Sequence, residues 1–250
     1  MHRDVQTLVW LVNGLVAWPA KARKRPRAYY TWQGWQHLAE VGSRSLAIVS
    51  IIAACTGMIL ALQAAQQLEK VGALSYVANM VSVTIVKELG PLLTAIILAG
   101  RSGAAFCAEI ATMQISEEID ALQVIGIDPV RFLVAPKIMA MLIMLPVLTL
   151  WADLVGILAG GLFSSLLLGL SLQGYLNQAV LFLGTNDVVA SVVKAAGFGG
   201  AITVICCWQG FLAREGAADV GRRTTKAVVQ SIFMIILLDF FFTALNYIAG

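Results

Sequence analysis

Five long apolar runs divide most of the chain, and each is long enough to cross a bilayer as a helix. The runs lie at residues 46–68, 76–107, 138–158, 195–212 and 227–248, and looser apolar sequence follows the third as far as Leu183. Because a helix satisfies its own backbone hydrogen bonds, such runs predict membrane-spanning helices. We therefore expect five spans, which place the two ends of the chain on opposite sides of the membrane.

A shorter apolar pattern precedes the first run. Between residues 5 and 16 apolar positions recur at helical spacing, with Gln6 and Asn13 on the opposite face. This segment is too short to cross a membrane, and the strong basic run follows it, whereas the positive charge of a signal peptide comes first. We expect an amphipathic helix in the membrane interface, anchored by Trp10 and Trp18. Residues 1–45 then form an N-terminal interfacial and basic segment, and residues 46–250 form the membrane domain.

Composition supports a membrane protein, since 59% of the 250 residues are apolar, 12% are charged and the mean hydropathy is +0.84. A soluble domain carries about a quarter charged residues, so this chain has too few to cover a water-soluble surface. Of the 17 Lys and Arg residues, 14 fall in residues 1–45, 101–137 and 213–226, and Lys70 and Lys194 are expected in outer segments. The amino terminus is therefore expected in the cytoplasm and the carboxyl terminus outside it. Basic residues beside apolar segments indicate anionic lipid, and we predict no nucleic-acid partner.

Several kinds of chemistry are excluded by what the sequence lacks. No lysine follows a glycine, so there is no phosphate-binding loop of the G-x-x-x-x-G-K-[ST] type. Both histidines, His2 and His37, precede the first span, which excludes a histidine-based catalytic site in the membrane. The four cysteines lie in or next to apolar runs without the spacing of metal ligands. We predict no enzymatic activity, no metal site and no cofactor.

Lys87 and Glu88 interrupt the second apolar run at a place where the helix is expected to cross the bilayer. Charges are costly there, so such residues normally face the protein interior or a wet cavity and indicate a functional site. Pro91 follows one turn later, and its missing amide is expected to kink or open the helix. The structural alternative is that Lys87 and Glu88 pair with each other or mark a helix end.

A second feature lies between the second and third runs, in residues 109–136. Three apolar residues recur there at helical spacing, namely Ile115, Ile119 and Leu122. Three acidic residues surround them, namely Glu117, Glu118 and Asp120. A turn follows at residues 126–129. An acidic amphipathic helix is poorly suited to anionic lipid and well suited to bind a protein, while a solvated loop helix is the alternative.

Much of the chain resembles a known family. Residues 87–140, KELGPLLTAIILAGRSGAAFCAEIATMQISEEIDALQVIGIDPVRFLVAPKIMA, resemble the signature of the MlaE-type permeases, the membrane subunits of ABC transporters that act with MCE proteins in lipid transport. TGMILALQ at 56–63, GRRTTKAVVQS at 221–231 and LLDFFFTALNYI at 237–248 are similar to the same family. The resemblance covers nearly all of the chain after residue 45.

The resemblance implies an all-α homodimeric permease that binds a separate ABC ATPase subunit and a periplasmic MCE-domain protein, often with a small STAS-domain protein. It implies that a cytoplasmic coupling helix, gripped by the ATPase, lies between spans two and three. The coupling residues would be Glu109, Met113, Glu117, Glu118, Asp120 and Leu122. Lys87 and Glu88 would lie on the wall of a lipid cavity, and Leu60 and Gln63 on the span that borders it.

In this interpretation Lys87 offers its positive charge to a lipid headgroup, and Glu88 balances that charge when the site is empty. Two alternatives stay open. A self-sufficient secondary transporter commonly has internal repeats, and we find none. A membrane scaffold would explain the acidic helix but would leave Lys87 and Glu88 without a purpose. The short chain, which has no transit peptide, favours the inner membrane of a bacterium.

Overall fold

The computed structural model describes Leu11 and residues 27–249, with the side chains of Leu11 and of residues 37–248. Within that part of the chain every regular element is helical. We number the elements α1 Arg27–Glu69, α2 Leu74–Ile115, α3 Glu118–Val124, α4 Val130–Leu168, α5 Leu172–Phe182, α6 Thr185–Phe211 and α7 Gly216–Ala249. Five of them, α1, α2, α4, α6 and α7, are long and apolar enough to cross a membrane, which confirms the five spans predicted among the described residues.

α6 begins earlier than the sequence predicts. It starts at Thr185, whereas the apolar run alone placed the start at residue 195. Asp187 in its first turn accepts a hydrogen bond from the amide of Gly184 at 3.3 Å, and an acidic side chain at this end favours the helix dipole. Lys194 therefore lies inside α6, and its place in an outer segment stays a prediction.

The described residues group into two compact units. The first unit comprises those within Met1–Gly42, Ile96–Met144 and Gly197–Gly250, and the second comprises Ser43–Ala95 and Leu145–Ala196. Each unit has an apolar core of its own. The candidate coupling residues belong to the first unit and the candidate lipid-binding residues to the second.

The core of the first unit lies beside α3. Its buried side chains are Leu11, Ile110, Ile119, Val130, Leu133, Val134, Cys207 and Phe211. Leu11 is the one described residue of the interfacial helix predicted at residues 5–16, and it is helical and buried. The rest of that predicted helix lies outside the described residues.

The core of the second unit joins α1, α2 and α5. Its buried side chains are Ala61, Ala64, Ala65, Val77, Ala78, Val81, Ile85 and Tyr175. The small residues of α1 let the neighbouring helices approach closely, as is common where helices pack inside a membrane. This core supports the segment of α2 that leads to Lys87.

A close helix approach in the second unit involves Gly57 of α1 and Gly156 of α4. A side-chain carbon at Gly57 would collide with the backbone carbonyl of Gly156, and one at Gly160 would lie 3.1 Å from the Gly57 carbonyl oxygen. Backbone is pressed on backbone here, so no flexible side chain can move aside. Only glycine at position 57 permits this packing.

We expect Gly57→Ala to destabilise the protein by about 1–3 kcal/mol, the usual cost of overpacking a core. Thermal denaturation of the purified protein in detergent measures the change. Gly221→Ala in α7 is the matched control, because nothing lies within 4 Å of the position that its new carbon would take and alanine is the better helix former. Equal melting temperatures for the two variants would contradict the close approach of α1 and α4.

Candidate functional site

α2 widens at the charged residues. Ile85–Leu89 form a π-helical turn, in which the Gly90 amide donates to the Ile85 carbonyl, five residues earlier. The turn comes immediately before Pro91, which has no amide to offer to the carbonyl of Lys87. This confirms the predicted opening of the helix, and such π-helical turns are frequent at functional sites. Lys87 and Glu88 lie inside the wide turn and do not mark a helix end.

Lys87 and Glu88 form ion pairs with side chains of α6. Lys87 Nζ lies 2.9 Å from Asp187 Oδ1, and Lys194 Nζ lies 2.7 Å from Glu88 Oε2. Lys194 Nζ also donates a hydrogen bond to the backbone carbonyl of Lys87 at 3.2 Å. The expectation that Glu88 balances the charge of Lys87 is thus corrected, because Asp187 does so and Glu88 binds Lys194.

The Lys194 pair is a buried structural contact. Only 6% of the Lys194 side chain is exposed, and a buried ammonium group is tolerated only when it is paired and hydrogen-bonded. Glu88 supplies the opposite charge, and the Lys87 carbonyl, deprived of an α-helical donor by Pro91, supplies a second acceptor. Lys194 therefore holds the wide turn of α2 against α6.

The Lys87 pair is more open. In the single chain 43% of the Lys87 side chain and 22% of the Asp187 side chain are exposed. Exposed ion pairs contribute about 0–1 kcal/mol, so little is lost when the ammonium group changes its partner. Lys87 is therefore the cation of this cluster that is available to an anionic ligand.

Leu60 and Gln63 of α1 belong to the same unit as the wide turn. Leu60 is half-buried against the core cluster that includes Ile85, two residues before Lys87. Gln63 is exposed. The structure thus brings Leu60 to the core beside the wide turn, and the sequence places Gln63 one helical turn further along α1.

Asp187 and Lys194 are the site residues that sequence reasoning missed. Lys194 directly precedes the fourth apolar run and was expected in an outer segment, and Asp187 lies in the polar stretch before it and was not considered. The signal available was electrostatic: two charges in the second span require opposite charges nearby. Nothing in the sequence identified α6 as their source.

The acidic segment forms the short helix α3. Ile119 is buried and Leu122 is half-buried against the core of the first unit, as is Met113 at the end of α2. The three acidic residues face outward, namely Glu117, Glu118 and Asp120. The spacing predicts these two faces, but it also placed Ile115 on the same helix; Ile115 instead ends α2, and Glu117 breaks the helix before α3 with a φ of 60°. Gly126 follows at a φ of 78°, which allows the chain to turn toward α4.

Glu109 ties this region to α4. Its Oε1 lies 2.8 Å from Lys137 Nζ, and Lys137 is 1% exposed and lies 5.4 Å from the centre of the Phe106 ring. The Glu109 side chain keeps 46% of its surface exposed. The ion pair and the cation–π contact together compensate for burying the Lys137 ammonium group. Glu109 therefore has a structural role, because its ion pair with Lys137 joins α2 to α4.

Comparison with known proteins agrees with this architecture. The family model described as permease MlaE matches residues 35–245. A probable ABC transporter permease of Rickettsia typhi is 37% identical over 85% of this chain and 82% of its own length. A probable ABC transporter permease of Synechocystis is 38% identical over 83% of this chain and 79% of its own length.

A plant relative is also similar. The chloroplastic protein TRIGALACTOSYLDIACYLGLYCEROL 1 of Arabidopsis thaliana is 35% identical over 82% of this chain and 59% of its own length. The described residues contain five helices long enough to span a membrane, and together with the permease relatives these helices indicate a multi-pass membrane subunit of a transporter. The chain belongs to the MlaE permease family.

Proposed function

We propose that this chain is the permease subunit of an ABC transporter that moves phospholipid or a related lipid. The observation that carries the proposal is the partly exposed side chain of Lys87 inside a candidate membrane span. A charge at such a place calls for a function, and a lipid headgroup phosphate is an anionic group that a membrane protein meets there. The name of the plant relative contains that of a galactosylated diacylglycerol, which supports a lipid as the substrate class.

The proposed site works by exchange of partners. Lys87 leaves Asp187 and donates to the lipid phosphate, while Lys194 and Glu88 stay paired and keep the wide turn in place. Leu60 and the neighbouring apolar residues of α1 contact the acyl chains, and Gln63 offers a polar group. A charge-assisted hydrogen bond to a phosphate is stronger than a neutral one, so the exchange favours an anionic headgroup.

The energy is proposed to come from a separate ABC ATPase subunit, because this sequence has no phosphate-binding loop. The acidic outer face of α3 is the proposed docking surface for that subunit, acting as the coupling helix. The wider assembly would contain a second copy of this chain, a periplasmic MCE-domain protein and a STAS-domain protein. The amino terminus would face the cytoplasm of a bacterium and the carboxyl terminus the periplasm.

Replacement of Lys87 tests the lipid site. We expect Lys87→Gln and Lys87→Glu to weaken phospholipid binding by about tenfold, the effect of losing one charge-assisted hydrogen bond. The measurement is the phospholipid content of the purified protein after titration with vesicles, together with size-exclusion chromatography to show that assembly is intact.

Lys70→Glu is the matched control, since Lys70 is an exposed residue of the same unit beyond the end of α1. It should bind as much phospholipid as the native protein. Unchanged phospholipid content in both Lys87 variants would overturn the proposed site.

A further inference from the structure

Asp153 of α4 is a buried carboxyl group that the site described above does not use. It is 5% exposed, and neither of its oxygens has a hydrogen-bond partner among the residues that the structure describes. Oδ1 occupies the space in which a side chain at Gly90 would begin, and the Ile85 carbonyl oxygen lies 3.1 Å from that same point. The carboxyl group thus lies against the end of the wide turn.

The surroundings offer Asp153 no opposite charge. It is the only acidic or basic residue of α4 within the second unit. The other ionisable side chains on the described elements of that unit are Arg44, Cys55, Glu69, Tyr76, Lys87, Glu88, Tyr175, Asp187 and Lys194. Lys87 and Lys194, the cations on the helices around the wide turn, already bind Asp187 and Glu88. An isolated carboxylate in an apolar interior is so costly that the group normally keeps its proton.

A protonated carboxyl group needs an acceptor, and the wide turn supplies one. In an α-helix the amide of Gly90 would donate a hydrogen bond to the Val86 carbonyl, but here it donates to the Ile85 carbonyl. In a π-helix the donor to the Val86 carbonyl would be the amide of residue 91. Residue 91 is proline and has no amide hydrogen to donate. The Val86 carbonyl therefore has no helical donor in either register, and a buried carbonyl without one is unfavourable.

We propose that Asp153 carries a proton and donates a hydrogen bond from it to a backbone carbonyl of the Ile85–Leu89 turn. Asp153 is then a positioning residue. It contacts the wide turn from α4, while Lys194 contacts the same turn from α6, and the two contacts together fix the positions of Lys87 and Glu88. Gly90 is required in this arrangement, because any side chain there would displace the carboxyl group. This inference adds a positioning residue to the proposed lipid site. It rests on the proposed function only in the experiments that measure lipid binding.

Infrared spectroscopy tests the proton directly and does not depend on the lipid. Protein containing isotope-labelled aspartate should show, at neutral pH, the carbonyl band of a protonated carboxylic acid. That band should disappear in Asp153→Asn and persist in Asp239→Asn, the control on the other span that contains an aspartate in its apolar run. A spectrum unchanged by Asp153→Asn would overturn the proposal, because Asp153 would then be ionised.

A pair of variants tests the hydrogen bond. Asparagine at position 153 is uncharged and keeps a donor, whereas leucine has a similar size and no donor. We expect Asp153→Asn to bind phospholipid within about twofold of the native protein and Asp153→Leu to bind about tenfold less, the factor expected for one buried hydrogen bond.

Equal losses in the two variants would overturn the inference, since they would show that the negative charge itself is needed, as in a cation site. Failure of the lipid site is distinguishable from this result. In that case the Lys87 variants would bind lipid normally, and the infrared band would still decide the state of Asp153.

Discussion

Lys194→Met should destabilise the protein by about 3 kcal/mol, the lower end of the range for removing one partner of a buried ion pair. The substitution leaves the Glu88 carboxylate without the ammonium group 2.7 Å away, and it leaves the Lys87 carbonyl without its side-chain donor. The lower end applies because 38% of the Glu88 side chain is exposed and keeps part of its solvation. Thermal and denaturant unfolding of the purified protein in detergent measure the loss.

A double-mutant cycle supplies the control for this prediction. Lys194→Met with Glu88→Gln removes both charges, so the double variant should be more stable than Lys194→Met alone. Lys87→Gln should cost far less, because 43% of the Lys87 side chain is exposed whereas only 6% of the Lys194 side chain is. The assignment of Lys194 as the structural cation fails if Lys87→Gln is as destabilising as Lys194→Met.

The spans and the wide turn follow from local sequence. Long apolar runs predict the five membrane helices, since a helix satisfies all of its backbone hydrogen bonds within one segment. Pro91 predicts an opened turn because its missing amide is a covalent property of the residue. The outward acidic face of α3 likewise follows from the spacing of Ile119 and Leu122. Each of these features is decided by residues within a few positions of each other.

The contacts of the site do not follow from local sequence. Asp187 and Lys194 make the first turns of α6 polar, and their ion-pair partners lie about 100 positions earlier in the chain. Asp153 gives no local sign that its carboxyl group lies against Gly90. The positions of these charged side chains are set by tertiary contacts. Such contacts compensate for charges that would be unfavourable in a membrane helix considered alone.

α4 makes a contact at each of the two places that matter for the proposed transport. Lys137 pairs with Glu109 beside the acidic segment, and Asp153 lies against Gly90 at the end of the wide turn. Ala135–Leu168 is one uninterrupted α-helix, so both contacts belong to a single element. In the proposed transporter, a displacement of α3 by the ATPase would pass to the adjoining end of α2 and reach α4 through the Glu109–Lys137 pair.

Charge reversal on α3 should separate the permease from its proposed ATPase. Glu117 and Glu118 are exposed, while Ile119 beside them is buried and holds the helix in place. Glu117→Lys with Glu118→Lys therefore keeps the buried Ile119 contact, loses the hydrogen bond that Ser116 donates to Glu118, and inverts the charge of the outer face. Placing like charges across an interface costs several kcal/mol, so we expect binding at least about a hundredfold weaker. Co-purification of a co-expressed ABC ATPase subunit with the permease measures the effect.

The control changes the net charge by the same amount at other exposed positions. Glu69→Lys with Glu215→Lys alters the end of α1 and the residue before α7, both exposed and both outside the acidic segment. This variant should keep its ATPase, because the interaction depends on where the charge lies and not on the total. If the control loses the ATPase as well, or if the α3 variant keeps it, then α3 is not the docking surface. Retention of bound phospholipid by the α3 variant would show in addition that the lipid site remains intact without the ATPase.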